Sequence, residues 1–329
     1  MKRVAVIFTG GTISMRHDPV LGGNMPILDG AGILERTPGL EAIAEVQAID
    51  LGRTPASHFT FPQLFEIEGV IRAAQADPAI AGVVVVQGTD VLEETAFFWD
   101  LLLDDATPVV ITGAMRSASD PDYDGPANLR DAVRVAASDL VRGEGVVVCL
   151  AGTVHAADDV TKTHASALDT FQSLNDGPLA TVHEETITIL RRRSVRRHVT
   201  ADSATERVRL VTAHVAMDGA IIDALDSIGL DGLVVEATGS GNTSSGLLDA
   251  AARVMARGTP VVLATRCAAG AAGTEYAFPG GGATWVRAGA LLPGHLSGPK
   301  ARIALALGLG AGLGREALQA LLAGWARDD

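Results

Sequence analysis

The chain contains very little cysteine, with only Cys149 and Cys267 among its 329 residues. Two isolated cysteines form neither a zinc-binding pattern nor a disulfide framework. The eight histidines also lack the spacing of metal ligands, so we predict a protein with no metal and no cofactor. Cys149 ends an apolar run and is expected to be a buried thiol. The reducing cytoplasm is the compartment that this cysteine usage favours.

Positive charge and long apolar runs are also scarce. The chain has 26 Lys and Arg residues against 39 Asp and Glu residues, which gives a formal net charge of −13. An acidic surface repels phosphate backbones and anionic lipids, so we expect neither a nucleic acid nor a membrane as partner. The apolar stretch at residues 4–8 is too short for a signal peptide, and no run reaches membrane-spanning length. We therefore predict a cytoplasmic protein.

Apolar, β-branched runs alternate with helical segments over the first part of the chain. Continuous apolar strands separated by helices are typical of a parallel sheet that is covered on both faces. We predict an α/β fold whose larger N-terminal domain, residues 1–190, is an open and mostly parallel sheet with helices on both faces. The predicted strands are residues 4–8, 83–87, 109–112 and 146–150, and the predicted helices are residues 91–103 and 127–141.

An arginine-rich polar stretch at residues 191–207 interrupts this alternation. We interpret it as a solvated linker between domains, with an anion-binding patch as the alternative. Residues 208–329 are predicted to form a smaller C-terminal α/β domain. Its predicted strands are residues 209–214, 233–237 and 261–265, and its predicted helices are residues 220–227, 245–257, 301–309 and 314–327.

Hydroxyl, carboxylate and amine side chains follow the predicted strands of the first domain. Since ligands bind at the carboxyl ends of strands in open α/β sheets, we expect these side chains to meet at one edge. The segments concerned are Thr9-Gly10-Gly11-Thr12-Ile13, Gly88-Thr89-Asp90, Gly113-Ala114-Met115-Arg116, Gly152-Thr153 and Asp159-Val160-Thr161-Lys162.

These residue types suit acyl transfer on a small polar substrate. A threonine hydroxyl needs a neighbouring base to become a nucleophile, and a lysine oriented by an aspartate can serve. Thr89, Asp90 and Lys162 supply these three groups. Gly11 and Gly88, which stand beside Thr12 and Thr89, let backbone amides approach a substrate oxygen. One such oxyanion-hole donor typically contributes ~3 kcal/mol.

Each feature taken alone has a simpler interpretation. The Thr-Gly-Gly-Thr turn could bind phosphate, although the chain has neither a dinucleotide-binding glycine motif nor a Walker lysine. Asp90 alone would be a helix N-cap, and Lys162 alone would be a solvated surface residue. Their joint occurrence, in order and at successive strand ends, favours a catalytic site.

Several segments resemble the bacterial L-asparaginase family in order and spacing. The resemblance covers nearly the whole chain, and the two threonine signatures together are highly specific. The matching segments are Thr9–Ile13, Gln87-Gly88-Thr89-Asp90-Val91-Leu92-Glu93-Glu94-Thr95-Ala96, Gly113-Ala114-Met115-Arg116, Asp124-Gly125-Pro126-Ala127-Asn128-Leu129, Asp159-Val160-Thr161-Lys162-Thr163, Gly239-Ser240-Gly241-Asn242 and Pro299-Lys300-Ala301-Arg302.

The resemblance implies hydrolysis of L-asparagine, with Thr12 as the primary nucleophile on a mobile loop. Thr89, Asp90 and Lys162 would form the supporting triad, and Asp90 would also hold the substrate's α-amino group. It further implies a homotetramer of tight dimers, with the site between one subunit's first domain and its neighbour's second domain. The other implied substrate contacts are Ser57 to the α-carboxylate, the main chain of Ala114 to the side-chain amide, and Asn242 with Glu275 from the neighbour.

One feature departs from the family. Its members carry a tyrosine on the mobile loop that bonds to the nucleophile, whereas the only tyrosines here are Tyr123 and Tyr276, outside the loop at residues 14–34. We hypothesise that Tyr276 of a neighbouring subunit supplies the missing phenol, and the alternative is a tyrosine that packs beside Phe278. His17, within the loop, could act as a general base but is better interpreted as a solvated side chain.

Three other functions remain open on the sequence alone. A glutaminase-asparaginase would share every motif, because one methylene is worth only ~1–3 kcal/mol in a binding pocket. The amidotransferase component that supplies ammonia to transfer-RNA-bound glutamate would be expected to carry an extra N-terminal domain, and here the first signature starts at residue nine. A non-catalytic amino-acid sensor on the same fold is the third alternative.

Overall fold

The computed structural model describes residues 1–325. These residues form two compact units, the first covering Met1–His198 and the second beginning at Val199. Each unit contains its own main sheet, mostly parallel in the first unit and fully parallel in the second. The predicted α/β class, with a larger and mostly parallel N-terminal sheet and a smaller C-terminal domain, is confirmed. Among the described residues, no helix is both long enough and apolar enough to cross a bilayer.

The first unit is built on an eight-stranded sheet with the order β12-β11-β8-β7-β6-β5-β1-β4. Strands β4, β1, β5, β6 and β7 are mutually parallel. Strands β8, β11 and β12 extend the sheet at the β7 edge, and each pairs antiparallel with the strand before it in the sheet. The elements are β1 (Arg3–Phe8), β2 (Met15–Asp18), β3 (Gly23–Pro26), α1 (Gly30–Glu35), β4 (Glu45–Asp50), α2 (Phe61–Ala76), β5 (Ile80–Val86), α3 (Leu92–Leu102), β6 (Val109–Thr112), α4 (Gly125–Ala137), β7 (Val146–Leu150), β8 (Thr153–Ala156), β9 (Val160–Lys162), β10 (Phe171–Ser173), β11 (Ala180–His183) and β12 (Thr186–Ile189).

The central strands of this sheet are buried on both faces. Alternate residues of β1, such as Val4 and Val6, pack into one apolar cluster with Leu129 and Val133 of α4. The residues between them are equally buried, and helices α2 and α3 contact β5 and β7. This double burial explains why the central strands are continuous apolar runs in the sequence.

The second unit contains the parallel sheet β13-β14-β15. Its core includes Val235 and Leu263 of the sheet together with Leu247 and Val254 of α6. The predicted helix at residues 314–327 is present as α9, and its last two predicted positions, 326 and 327, lie outside the described residues. The elements are β13 (Val208–Thr212), α5 (Ala220–Ser227), β14 (Gly232–Ala237), α6 (Ser245–Ala256), β15 (Val261–Thr265), α7 (Gly282–Ala288), α8 (Gly298–Gly310) and α9 (Arg315–Ala323).

Several predicted elements need correction or addition. The helix predicted at residues 127–141 ends at Ala137, because Ser138 adopts an extended backbone and its side chain accepts a hydrogen bond from the amide of Leu140. Helix α2 was not predicted, although Gln63 caps it by accepting a hydrogen bond from the Thr60 amide at 3.0 Å. The expectation for Cys149 is confirmed: its thiol is free and buried, and burial raises its pKa.

Within the arginine-rich stretch, Arg193 is not solvated, although five of residues 191–198 are exposed, and the predicted linker boundaries stay a prediction. Residues 191–198 belong to the first unit. Arg193 donates to both carboxylate oxygens of Asp100 at 2.9 Å and lies 3.2 Å from Asp158. Only 3% of the Arg193 side chain is exposed. Burial opposes its charge, but Asp100 and Asp158 outweigh this effect and raise the pKa of Arg193. An ion pair between residues so far apart in the sequence produces no local sequence pattern from which it could be predicted.

We predict that Arg193→Met strongly destabilises the protein. The change would leave Asp100, of which 2% is exposed, buried without its main partner. Breaking a buried ion pair from one side typically costs about 3–5 kcal/mol. The measurement is the urea midpoint of unfolding, with Arg197→Met, at an exposed position of the same stretch, as the matched control. Equal midpoints for the two variants would contradict a stabilising role for Arg193.

Candidate active site

Two glycine-containing turns meet at the carboxyl edge of the first sheet. Strands β1 and β5 are parallel neighbours with Phe8 opposite Val86, so their following turns leave the sheet at the same level. Gly11 has a φ of +93°, and a Cβ built on it would lie 2.3 Å from the backbone nitrogen of Gly88. Only glycine permits this approach. The turn that carries Thr12 therefore packs backbone to backbone on the turn that carries Thr89.

Lys162 joins this edge from β9. Its Nζ donates to the Thr89 hydroxyl at 3.0 Å and to Asp90 Oδ1 at 2.9 Å. The Thr89 residue is buried and 15% of the Lys162 side chain is exposed, whereas 72% of the Asp90 side chain is exposed. The structure thus brings together the amine, hydroxyl and carboxylate that were predicted to act as one group. An amine in contact with a hydroxyl can exchange a proton with it.

Glu93 holds the backbone that carries Lys162. Its Oε2 accepts a hydrogen bond from the Lys162 amide at 2.7 Å, and it lies in the first turn of α3, where a carboxylate also interacts favourably with the helix dipole. Asp159, three residues before Lys162, ties the same segment to residues 175 and 176, because its carboxylate accepts hydrogen bonds from their amides at 3.1 and 2.8 Å. No role was predicted for Glu93 from the sequence, although it stands within the second threonine signature.

Thr12 begins a short 3₁₀ turn, Thr12–Ser14. The amide and hydroxyl of Ser14 both donate to the carbonyl of Gly11, at 2.9 and 2.7 Å. Thr12 itself is half-buried, and its hydroxyl makes no hydrogen bond with the part of the chain that the structure describes. The hydroxyl is therefore available to a substrate.

The segment Gly113–Ala114 lies against Thr89 and is held from α4. A Cβ on Gly113 would lie 2.5 Å from the carbonyl oxygen of Gln87 and 3.2 Å from Thr89 Cγ2. Asn128 donates to the Gly113 carbonyl at 3.0 Å. The amides of the two residues after Ala114 donate to the Asp124 carboxylate at 2.9–3.1 Å. These bonds orient the main chain of Ala114, which is fully buried.

Ser57 lies in the 3₁₀ turn Ala56–His58 and is exposed. This turn packs on the second threonine turn, since a Cβ on Gly88 would lie 2.9 Å from the Cβ of Ala56. The packing holds Ser57 close to the turn that carries Thr89, although the two residues are far apart in sequence. His58 beside it is also exposed.

Asn242, Glu275 and Tyr276 lie in the second unit. The loop that carries Glu275 is tied to the turn before Asn242, because the Gly273 amide donates to the Ser240 carbonyl at 2.9 Å. Glu275 is exposed. The ring of Tyr276 lies 5.8 Å from the ring of Phe278, and 46% of Tyr276 is exposed. The packing contact that was the alternative for Tyr276 is present, and about half of the residue still faces outwards.

Across residues 1–325, no group of three or more His, Cys, Asp and Glu side chains is arranged to hold a metal ion. The groups that do converge are two threonines, an aspartate, a lysine and closely packed glycine turns. Together with the α/β fold, they are the groups that a hydrolase of small polar acyl compounds would require.

Comparisons with known proteins identify the family. The model of asparaginase N-terminal domains matches residues 3–195, and that of glutaminase/asparaginase C-terminal domains matches residues 207–322. A probable L-asparaginase from Deinococcus radiodurans is 37% identical, over 96% of this chain and 95% of that protein. The chain therefore belongs to the asparaginase family and is an amidohydrolase.

Two further relatives bear on fold and on substrate. The crystal structure of a probable cytoplasmic L-asparaginase from Campylobacter jejuni superposes with a TM-score of 0.88 at 24% identity, covering 98% of this chain and all of that chain. A component of the glutamyl-tRNA(Gln) amidotransferase from Methanosphaera stadtmanae is 27% identical, over 81% of this chain and 63% of that protein. The first comparison supports the fold, and the second shows that relatives differ in substrate.

We predict that Gly11→Ala abolishes most amidase activity because its Cβ would force the two threonine turns apart. A displacement of about 1 Å at a reacting group can cost ~100-fold in rate. The measurement is ammonia release from an amide substrate. Gly22→Ala is the matched control, since Gly22 also has a positive φ, +69°, but has open space around its Cβ position. Equal activities of the two variants would show that the Gly11–Gly88 contact is unimportant.

Proposed function

We propose that this protein is an L-asparaginase that hydrolyses L-asparagine to L-aspartate and ammonia. The observation that carries the proposal is the convergence of Lys162 Nζ on Thr89 and Asp90, at 3.0 and 2.9 Å, beside the Thr12 turn. The 37% identity to a probable L-asparaginase supports the choice of substrate.

In the proposed reaction, the Thr12 hydroxyl attacks the carbon of the side-chain amide. Its proton passes to the basic group formed by Lys162 and Thr89 and then to the leaving nitrogen, so that the C–N bond breaks and ammonia departs. Backbone amides at Gly11 and Gly88 stabilise the negative charge on the substrate oxygen. Water, deprotonated by the same groups, then hydrolyses the ester on Thr12 and releases aspartate.

The remaining groups are proposed to select the amino acid. Asp90, which is largely exposed, is proposed to attract the α-amino group, and Ser57 is proposed to bind the α-carboxylate. The main chain of Ala114 would hold the amide. We further propose a homotetramer in which Asn242, Glu275 and Tyr276 of a neighbouring subunit complete each site. The cytoplasmic location remains a prediction.

The proposal is tested by measuring ammonia release from asparagine and glutamine, side by side, for the wild type, Thr12→Ala and Thr89→Val. We expect asparagine hydrolysis by the wild type and losses of about 10³-fold in both variants. Thr188→Ala, an exposed position on the edge strand β12, is the matched control and should retain full activity. Added hydroxylamine should yield aspartyl hydroxamate, because it intercepts an ester intermediate.

Other outcomes of this assay select the alternatives. Similar rates on both amides would identify a glutaminase-asparaginase of broader specificity. A folded wild type that releases ammonia from neither amide would overturn the proposal and favour an amino-acid sensor, to be checked by calorimetric titration with asparagine and aspartate. Hydrolysis without hydroxamate would contradict the acyl-enzyme step alone.

The shared site is tested by mixing subunits. We expect Thr12→Ala and Glu275→Gln each to be nearly inactive as pure proteins. If the two residues belong to different subunits of one site, random mixing in dimers should restore about a quarter of the wild-type activity, because half of the dimers are mixed and each holds one intact site. The two variants are denatured together, refolded and assayed against separately refolded controls. No recovery would place Thr12 and Glu275 in the same chain's site.

A further inference from the structure

The segment between β6 and α4, residues 113–124, forms three hydrogen bonds with the start of the Thr12 loop. The Tyr123 hydroxyl donates to the carbonyl of Ile13 at 2.7 Å. The Ala118 amide donates to the carbonyl of Met15 at 2.9 Å, and the His17 amide donates to the Ser119 hydroxyl at 2.9 Å. These bonds join residues about one hundred positions apart in sequence. We call residues 113–124 the clamp segment.

Of the three contacts that the clamp segment makes, the contact of Tyr123 is the nearest to Thr12, because Ile13 directly follows Thr12 in the sequence. The Tyr123 ring packs against the apolar core of the first unit, and Gly125 makes room for it, because a Cβ there would lie 2.5 Å from the ring. Burial raises the pKa of the Tyr123 phenol, the charge of Asp124 adds to this effect, and Arg36 opposes it. The phenol therefore stays protonated and acts as a hydrogen-bond donor.

The carbonyl of Ile13 follows directly after Thr12, so holding it sets the orientation of the 3₁₀ turn. Within the turn, Ser14 donates hydrogen bonds to the carbonyl of Gly11. The Ser14 carbonyl in turn accepts hydrogen bonds from the amides of Ile27 and Leu28. In the described part of the chain, Tyr123 is the hydrogen-bonding partner of the Ile13 carbonyl. The tip of the hairpin β2–β3 adds little to this hold, since Val20 and Leu21 are 90% and 67% exposed.

We propose that Tyr123 is a positioning residue for Thr12: its hydroxyl anchors the carbonyl of Ile13 and thereby aims the Thr12 hydroxyl at the substrate. This inference rests on the proposed role of Thr12 as nucleophile. The loop at residues 14–34 contains no tyrosine. In this proposal the phenol that holds the Thr12 turn comes from Tyr123 of the same chain. Tyr276 is then not needed to hold the turn.

The test is Tyr123→Phe, which keeps the ring in the core and removes only the donor. We expect kcat for asparagine to fall about 10- to 100-fold, because the nucleophile is less well aligned. KM should stay within about 2-fold, since the substrate-binding groups are untouched, and the unfolding temperature should change by no more than about 3 °C. Ser119→Ala is the matched control: it removes another bond of the clamp segment, further from Thr12, and should retain kcat.

Hydrogen exchange followed by mass spectrometry provides a readout that does not depend on activity. We expect faster exchange of the amides at residues 12–14 in Tyr123→Phe than in Ser119→Ala, whose own effect should fall on the His17 amide, because that amide loses its acceptor. Unchanged kcat, an equal fall of kcat in both variants, or a fall accompanied by a large loss of thermal stability would each overturn the positioning role. If the wild type releases no ammonia, the proposed function fails, and the exchange comparison still upholds or overturns the hold of Tyr123 on the turn.

Discussion

At the carboxyl edge of the first sheet, the main chains of Gly11 and Gly88 approach so closely that Gly11 has no room for a side chain. This steric constraint sets the separation of the two threonine turns. The parallel pairing of β1 with β5 brings the turns to the same level, but the absence of a Cβ atom on Gly11 is what lets them touch. The proposed binding of a substrate oxygen by the backbone amides of these turns depends on this close approach.

Two largely buried cations of the first unit, Arg193 and Lys162, are held in contrasting ways. Arg193 is enclosed between Asp100 and Asp158, and this pairing keeps its charge and its place constant. Lys162 is paired with Asp90, whose side chain is 72% exposed, so water weakens their attraction. A substrate that covers Asp90 would displace that water and strengthen the interaction. The geometry therefore suits Arg193 to a structural role and Lys162 to one that responds to substrate.

In the second unit, as in the first, the predicted site residues lie on loops that follow the carboxyl ends of parallel strands. The turn before Asn242 follows β14, and the loop with Glu275 follows β15, so both arise from carboxyl ends of parallel strands. Their connection through Gly273 and Ser240 makes them one loop cluster. Relatives of this chain include both a probable asparaginase and an amidotransferase component. The fold alone does not choose between their substrates, because substrate choice depends on such loops.

The sequence by itself determined the fold class and the set of residue types at the strand ends, because buried parallel strands are continuous apolar runs and their turns need glycine. Edge strand β4, with its half-exposed and polar sequence, lacks that signal and was not predicted. Only the tertiary structure decided that Arg193 is buried against Asp100 and that Tyr123 holds Ile13. Their partners lie 93 and 110 positions away, and contacts formed by folding over such distances have no local pattern from which they can be predicted.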